Sequence, residues 1–320
     1  MFSGRTVFVT GAAGFLGPWL CEALLERGAN VIALVRDLAA ESRFPRERVT
    51  VVQGELEDFE LLQRVLYRYE VGSVFHLGAQ ALVGVAYRDP FSTFESNVRG
   101  TYNLLEACRR AGTPQIVMAS SDKAYGQAEG HYTEESRLDG VFPYDVSKSC
   151  ADLIARSYFR TYGTPVTVTR CGNFFGGGDL HWSRLVPGTV RWALRGERPV
   201  IRSNGKYVRD YLYIEDAAAA YLHLAEAQLK DPSLAGEAFN FSFEQPWTVL
   251  ELTRKVLELV GRPDLEPEVQ DLPETRFEIQ TQMLNAAKAR ERLGWAPRFG
   301  LEEGLRRTID WYRDYLKLSR

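Results

Sequence analysis

An α/β fold built on a doubly wound parallel sheet follows from three features of this 320-residue chain. Over the first half, short apolar runs alternate with helical patterns, as in a parallel sheet covered on both faces. The first run, Thr6–Thr10, breaks into a glycine-rich turn, GAAGFLG, that opens a helix. After Arg170 the rhythm changes: glycines and prolines thicken, in GNFFGGGD and then VPG, and the strands become short and separated.

In order, strands are predicted at Thr6–Thr10, Val31–Val35, Thr50–Gln53, Ser73–Leu77, Gln115–Ser120 and Val166–Arg170. Helices are predicted near Phe15–Arg27, Phe59–Tyr69, Thr93–Ala111 and Tyr144–Tyr162. A ligand belongs at the carboxyl ends of such strands. Residues 1–172 form the first domain, with late strands returning to it near 208–216 and 238–243, read from Tyr211–Ile214 and Ala238–Ser242. Residues 173–320 mainly build a smaller, discontinuous lobe. A final helix, Leu301–Leu316, carries Leu301, Leu305, Ile309, Tyr312 and Leu316 on one stripe for packing.

Composition is that of an ordinary globular protein, 45% hydrophobic and 25% charged with a net charge of −3. That balance predicts no broad attraction to nucleic acid or to a membrane surface. No apolar run is long enough to span a bilayer. The N-terminus is not read as a signal peptide, because glycines punctuate its apolar part. Cys21, Cys108, Cys150 and Cys171 are scattered without a CxxC, which fits free thiols in a reducing cytoplasm. His76, His131, His181 and His223 form no ligand-spaced pair, so no metal site is expected.

Gly11, Gly14 and Gly17, with Phe15 and Leu16 between them, fill the turn from the first strand to the first helix. Glycine there lets the backbone approach a pyrophosphate, and the helix start supplies free N–H groups and a positive dipole end. The spacing is GxxGxxG rather than GxGxxG. Further on, YDVSK sets Tyr144 and Lys148 at i and i+4, on one face of a helix. In ASSDKAYG, a core strand ends in Ser120, Ser121, Asp122 and Lys123. Asp122 and Lys123 are either solvated turn charges or groups that work on a ligand at the strand's carboxyl end.

The glycine loop, HLGAQ (His76–Gln80), ESNVRGT, YDVSK and the closing LGWAPRFGLEEGLRRTIDWY together resemble the extended short-chain dehydrogenase/reductase family, over almost the whole chain. The resemblance implies a Rossmann-type fold, a bound nicotinamide dinucleotide and a homodimer paired through the helices near Thr93–Ala111 and Tyr144–Tyr162. It places Gly11, Gly14, Phe15, Leu16 and Gly17 at the pyrophosphate. Glu55 and Leu56 then lie beside the adenine, with Glu55 departing from the family's usual aspartate. Leu77, Gly78 and Ala79 line the cofactor, and His76 is a packed, hydrogen-bonded histidine. At the end of VIALVRD the family's ribose-binding acid falls on Val35. Arg36 suits a 2′-phosphate, whereas Asp37 suits a ribose hydroxyl if the strand runs on; otherwise both are loop charges. The cofactor is NADP or NAD, with the lean toward NADP.

A phenol is a poor base near neutrality, its reference pKa being about 10. The Lys148 ammonium and the positive nicotinamide ring both favour phenolate, so Tyr144 takes a proton from a sugar hydroxyl as hydride leaves the same carbon. Lys148 also holds the nicotinamide ribose, Ser121 bonds the reacting oxygen, and Asn97 is structural support. Within the family, the sequence looks like the nucleotide-sugar 4,6-dehydratases, which use three consecutive residues at this spot. FLGPWL, AYRDPFSTFESNVRGT, GNFFGGGD and lysine as the third member point to those that act on CDP-glucose. That implies Asp122 as the acid that helps the C6 hydroxyl leave and Lys123 as the C5 base. Asn173 and Arg209 meet the sugar diphosphate, with Arg184 and Arg202 as further anion contacts, while Asp210 supports Arg209 or closes a helix start. The alternatives are a 4-epimerase or 4-keto reductase, in which Asp122 and Lys123 stay idle, and a non-catalytic dinucleotide-binding sensor.

Overall fold

The computed structural model describes all residues except 39–42, 128–130, 274, 276–277 and 318–320. Its centre is a sheet of seven strands: β1 (Thr6–Thr10), β2 (Asn30–Val35), β3 (Thr50–Gln53), β4 (Ser73–His76), β5 (Ile116–Ala119), β6 (Val166–Cys171) and β7 (Ala238–Phe241). The spatial order is β7-β6-β5-β4-β1-β2-β3, and every pairing is parallel. The fold is the expected doubly wound, Rossmann-type one.

Helices on both faces explain the unbroken apolar strands. In β1, Val7 and Val9 join one core with Leu20 and Leu24 of the helix Leu16–Glu26 and with Leu224 of the helix Ile214–Lys230. Phe8 faces the other core, among Leu62, Leu104 and Leu105 of the helices Phe59–Arg68 and Gly100–Ala111. Strand order reverses between β1 and β4, whose carboxyl ends, Thr10 and His76, lie side by side. Ligands of such sheets bind at the carboxyl ends beside that reversal.

Strand bounds depart from expectation by about a residue, within the usual uncertainty of element ends. Two differences are larger. The helix expected over Thr93–Ala111 is a short α-helix, Pro90–Phe94, a wide π turn, Glu95–Arg99, and an α-helix, Gly100–Ala111. Asn97 anchors the wide turn: its side chain accepts from Gln80 N at 2.7 Å and donates to Gln80 O at 3.0 Å and Ser147 Oγ at 2.9 Å.

The late strands also part company. Ala238–Phe241 joins the large sheet as β7, but Tyr211–Tyr213 pairs with Asn173–Phe175 in a separate two-stranded sheet. The reason is geometric: β7 already covers the free edge of β6, and Gly172 breaks the chain away from β6. A Cβ at Gly172 would lie 2.6 Å from Asp210 O, so the two segments cross closely there. The final helix, Leu301–Tyr315, buries Leu301, Leu305, Ile309 and Tyr312 as its stripe predicts.

Candidate active site

The glycine turn has a distinct reason for each glycine. Gly11 has φ +67°, and a Cβ there would lie 2.7 Å from Gly78 N. At Gly17 a Cβ would lie 2.3 Å from Gly11 O, so this residue sets how closely the helix packs on the turn. Gly14 is less confined, with 3.1 Å to Gly11 O, and it leaves bare backbone on the turn. The helix Leu16–Glu26 has no side-chain cap at Phe15 and no acid in its first turn. Its free N–H groups and positive dipole end are thus left for an anion, and the turn fits a pyrophosphate.

Around this turn the expected cofactor residues gather at the ends of β1, β2 and β4. Leu56 is buried, and its side chain would stand 2.9 Å from a Cβ at Gly78. Leu77, Gly78 and Ala79 are half-buried, while Glu55 is exposed. β2 stops at Val35, so Arg36 and Asp37 lie exposed beyond it. His76 is indeed a packed histidine: Nδ1 meets Thr10 Oγ1 at 2.8 Å and Nε2 meets Thr101 Oγ1 at 3.2 Å. Burial, reinforced by the Lys148 charge, pushes it down to about 3 and keeps it neutral.

β5 ends at Ala119, and Ser121 then caps a single 3₁₀ turn, Asp122–Tyr125. Ser121 Oγ accepts from Lys123 N at 3.2 Å and donates to Asp122 Oδ1 at 2.9 Å. Asp122 is 1% exposed, and its Oδ2 is buried without a partner among the described residues. Lys123 Nζ donates to Asp122 Oδ1 at 3.2 Å and to Asn173 Oδ1 at 3.0 Å. Asp122 is therefore a buried carboxyl and Lys123 a half-buried amine joined to it, rather than two solvated turn residues.

Tyr144 and Lys148 are both buried on the helix Pro143–Tyr162. Burial, then the Asp122 charge, pushes the Tyr144 phenol above its usual value, against a Ser121 hydrogen bond and the Arg184 charge. The expected lowering by Lys148 is not found. Lys148 Nζ donates instead to Ala119 O at 3.1 Å, and burial brings it down to about 8 against the Asp152 charge. Desolvation outweighs the neighbouring ammonium in this pocket, so phenolate formation there needs a further positive charge.

Sequence reasoning missed the support beneath the turn. Arg170 grips Asp152 through Nε and NH2, and its NH1 donates to Tyr125 Oη at 2.9 Å. Tyr125 Oη in turn donates to Asn240 Oδ1 at 2.7 Å. β6, β7 and the helix Pro143–Tyr162 thereby fix the turn that carries Asp122 and Lys123. A signal was present: an arginine in the otherwise apolar TVTRC demands a buried partner.

The expected substrate residues are only partly brought together. Asn173 touches Lys123, and Arg184, half-buried beside Asp179 at 3.1 Å, lies within electrostatic reach of Tyr144. Arg209 is held by Val208 O, Gln280 O and Glu278. Arg202 is exposed. Asp210 does not support Arg209; its Oδ2 takes bonds from Ser242 Oγ and Leu284 N, and burial raises it to about 7.

The profile of the GDP-mannose 4,6 dehydratase family matches residues 8–308. The chain belongs to the GDP-mannose 4,6-dehydratase family. It is thus of the NAD-dependent epimerase/dehydratase type. CDP-glucose 4,6-dehydratase of Salmonella typhimurium is 31% identical, over 99% of this chain and 92% of the relative. The crystal structure of dTDP-glucose 4,6-dehydratase from Streptomyces venezuelae, with NAD bound, has a TM-score of 0.88 at 30% identity and 97% coverage of each chain. UDP-glucose 4-epimerase from Thermotoga maritima, solved with UDP-glucose, has a TM-score of 0.89 at 29% identity, covering 98% of this chain and all of its own. In this GDP-mannose 4,6-dehydratase family member, the lean toward NADP finds no support, since the cofactor in the dehydratase relative is NAD. Among the described residues no helix is long and apolar enough to cross a membrane.

Proposed function

We propose that the chain is an NAD-dependent nucleotide-sugar 4,6-dehydratase that converts CDP-glucose to CDP-4-keto-6-deoxyglucose. One observation carries the reading: a buried acid, Asp122, joined at 3.2 Å to the half-buried amine of Lys123 beside Ser121 and Tyr144 at the end of β5. A 4-epimerase or 4-keto reductase moves only a hydride and a hydroxyl proton at C4 and has no use for that pair. The choice of CDP-glucose is supported by the lysine at position 123 and by the Salmonella relative.

NAD, when bound, would supply the oxidising equivalent for sugar C4 and the hydride that C6 needs, and its positive ring would favour phenolate at Tyr144. Gly11, Gly14, Phe15, Leu16 and Gly17 hold its pyrophosphate, and Leu56, Leu77, Gly78 and Ala79 line its path. Asp37 meets the ribose hydroxyls, Arg36 and Glu55 face solvent, and Lys148 binds the nicotinamide ribose. Tyr144 takes the C4 hydroxyl proton while Ser121 holds that oxygen. The C4 ketone acidifies C5; Lys123 removes its proton, and Asp122 protonates the departing C6 hydroxyl. Asn173 orients the sugar diphosphate, and Arg184 neutralises it. Arg209 joins once it leaves Glu278, with Arg202 at the outer rim.

Two copies are proposed to pair through the helices that expose Phe91, Tyr102, Leu153 and Tyr162. Sedimentation showing only monomer would overturn that pairing. The cysteines, all free, support a cytoplasmic setting. The deciding experiment incubates the protein with CDP-, dTDP-, UDP- and GDP-glucose and weighs the products. A dehydratase product is lighter by one water. Unchanged mass with an altered sugar identifies an epimerase, and no product from any of them sinks the enzyme reading.

A further inference from the structure

Arg170 and Arg209 turn the same guanidinium edge, Nε and NH2, toward a carboxylate, but they use it differently. Arg170 grips Asp152 with both nitrogens at 2.8 Å, and both side chains are buried. At Arg209 only NH2 is engaged, by one Glu278 oxygen at 3.3 Å, and Nε makes no bond among the described residues. The pair is also lopsided: the Arg209 side chain is 8% exposed and that of Glu278 44%. The carboxylate therefore covers the guanidinium from the solvent side, the side from which a ligand arrives.

Glu278 is not needed to aim the guanidinium. NH1 donates to Val208 O at 3.0 Å and to Gln280 O at 3.2 Å, and the group lies 5.5 Å from the centre of the Tyr207 ring. Those contacts leave the Nε–NH2 edge as the one turned to an anion, and its two parallel donors suit two phosphate oxygens. Asp145 and the Tyr211 phenol lie within electrostatic reach of Arg209 without bonding it. What Glu278 supplies is charge, because a guanidinium this deep is costly without a counter-ion. Its hold is weak, a single contact from a carboxylate that water still screens. A diphosphate carries more charge and can engage both nitrogens of the edge.

We propose that Glu278 is a competing anion built into the substrate site: it neutralises Arg209 while the site is empty, yields NH2 to the substrate diphosphate, and takes it back as product leaves. The proposal rests on the nucleotide-sugar reading and adds to it a residue that opposes binding. No covalent bond changes. The guanidinium stays on its two main-chain carbonyls, and only the anion on its outer edge is exchanged. Substrate and product are thereby held less tightly than the contacts of the site alone would hold them, which favours release.

Calorimetric titration with CDP, dTDP, UDP and GDP identifies the nucleoside diphosphate that wild type binds most tightly, and its parent nucleoside is the uncharged control. Glu278→Gln should bind that diphosphate about fivefold more tightly, with the nucleoside unaffected. Glu278→Asp keeps the charge but falls one methylene short of Arg209, so it should show most of the same gain. In an Arg209→Met background, Glu278→Gln should bring no gain. Weaker or unchanged diphosphate binding in Glu278→Gln overturns the inference, since Glu278 would then serve the ligand or the arginine rather than compete. A gain that persists in Arg209→Met also overturns it, by showing plain repulsion between Glu278 and the ligand. Should Arg209→Met fail to fold, Glu278→Asp decides, and wild-type affinity there overturns the exchange. If the wild type binds none of the four diphosphates, the nucleotide-sugar reading falls and takes this role with it.

Discussion

Arg170 holds Asp152 by two hydrogen bonds of 2.8 Å, with both side chains almost completely buried, at 1% and 0% exposure. Removing one partner strands the other charge in the core. Asp152→Asn is therefore expected to lower stability by about 3–5 kcal/mol, whereas replacing both by apolar residues of similar volume costs much less. Urea unfolding of Asp152→Asn, Arg170→Met and the Asp152→Leu/Arg170→Met double variant closes the cycle. A loss in the double variant equal to the sum of the two single losses would mean that the pair is not coupled.

Gly14 and Gly17 differ in what a methyl group would strike, 3.1 Å against 2.3 Å from Gly11 O. Gly17→Ala should disturb the fold itself and lower the melting temperature. Gly14→Ala should leave the melting temperature almost unchanged and weaken NAD binding at least about tenfold, by crowding the backbone from which N–H groups meet the pyrophosphate. Calorimetric titration with NAD reads the second effect. Undiminished NAD affinity in Gly14→Ala would remove this glycine from the cofactor site.

Asp122→Asn combined with Lys123→Met neutralises the joined pair while leaving Ser121, Tyr144 and Lys148 in place. Oxidation at C4 should continue, seen as a rise in reduced-cofactor absorbance with CDP-glucose, and water loss should fall by about 10²–10⁴-fold. Product mass separates the two steps. Dehydrated sugar formed at the wild-type rate would show that Asp122 and Lys123 take no part.

How far the sequence carries depends on whether a feature is local. Thr6–Thr10 and its glycine turn were legible because the apolar run, the break and the helix start sit side by side. Tyr144 and Lys148 were legible because helical spacing alone puts them on one face. The separate sheet of Tyr211–Tyr213 was not, since it depends on which distant strand covers the edge of β6. Nor was the wide turn at Glu95–Arg99, which hangs on the contact between Asn97 and Gln80. The phenol of Tyr144 was misjudged for the same reason: an ammonium at i+4 is visible in the sequence, but burial, the stronger effect, is not.

His76 gives the acid side of the stability curve its sign. Its folded value is about 3, against about 6.5 unfolded. Between those values the unfolded chain binds the extra proton, so stability falls as pH drops below about 6.5, by up to ~1.4 kcal/mol per unit. Asp145 and Asp210, raised to about 6 and about 7, act in the opposite sense over part of that range, because the folded state then holds their protons. Comparison with His76→Asn cancels those carboxylates. The wild type should lose stability relative to this variant steadily from pH 6.5 downward, while the difference stays flat above it. Lys148, lowered to about 8, predicts the matching effect at high pH: stability rises between about 8 and 10.4 as the burden of a buried charge lifts. Urea melts across the pH range measure both slopes. A wild-type-minus-variant difference that does not change below pH 6.5 would mean that His76 is not held neutral by its burial between Thr10 and Thr101.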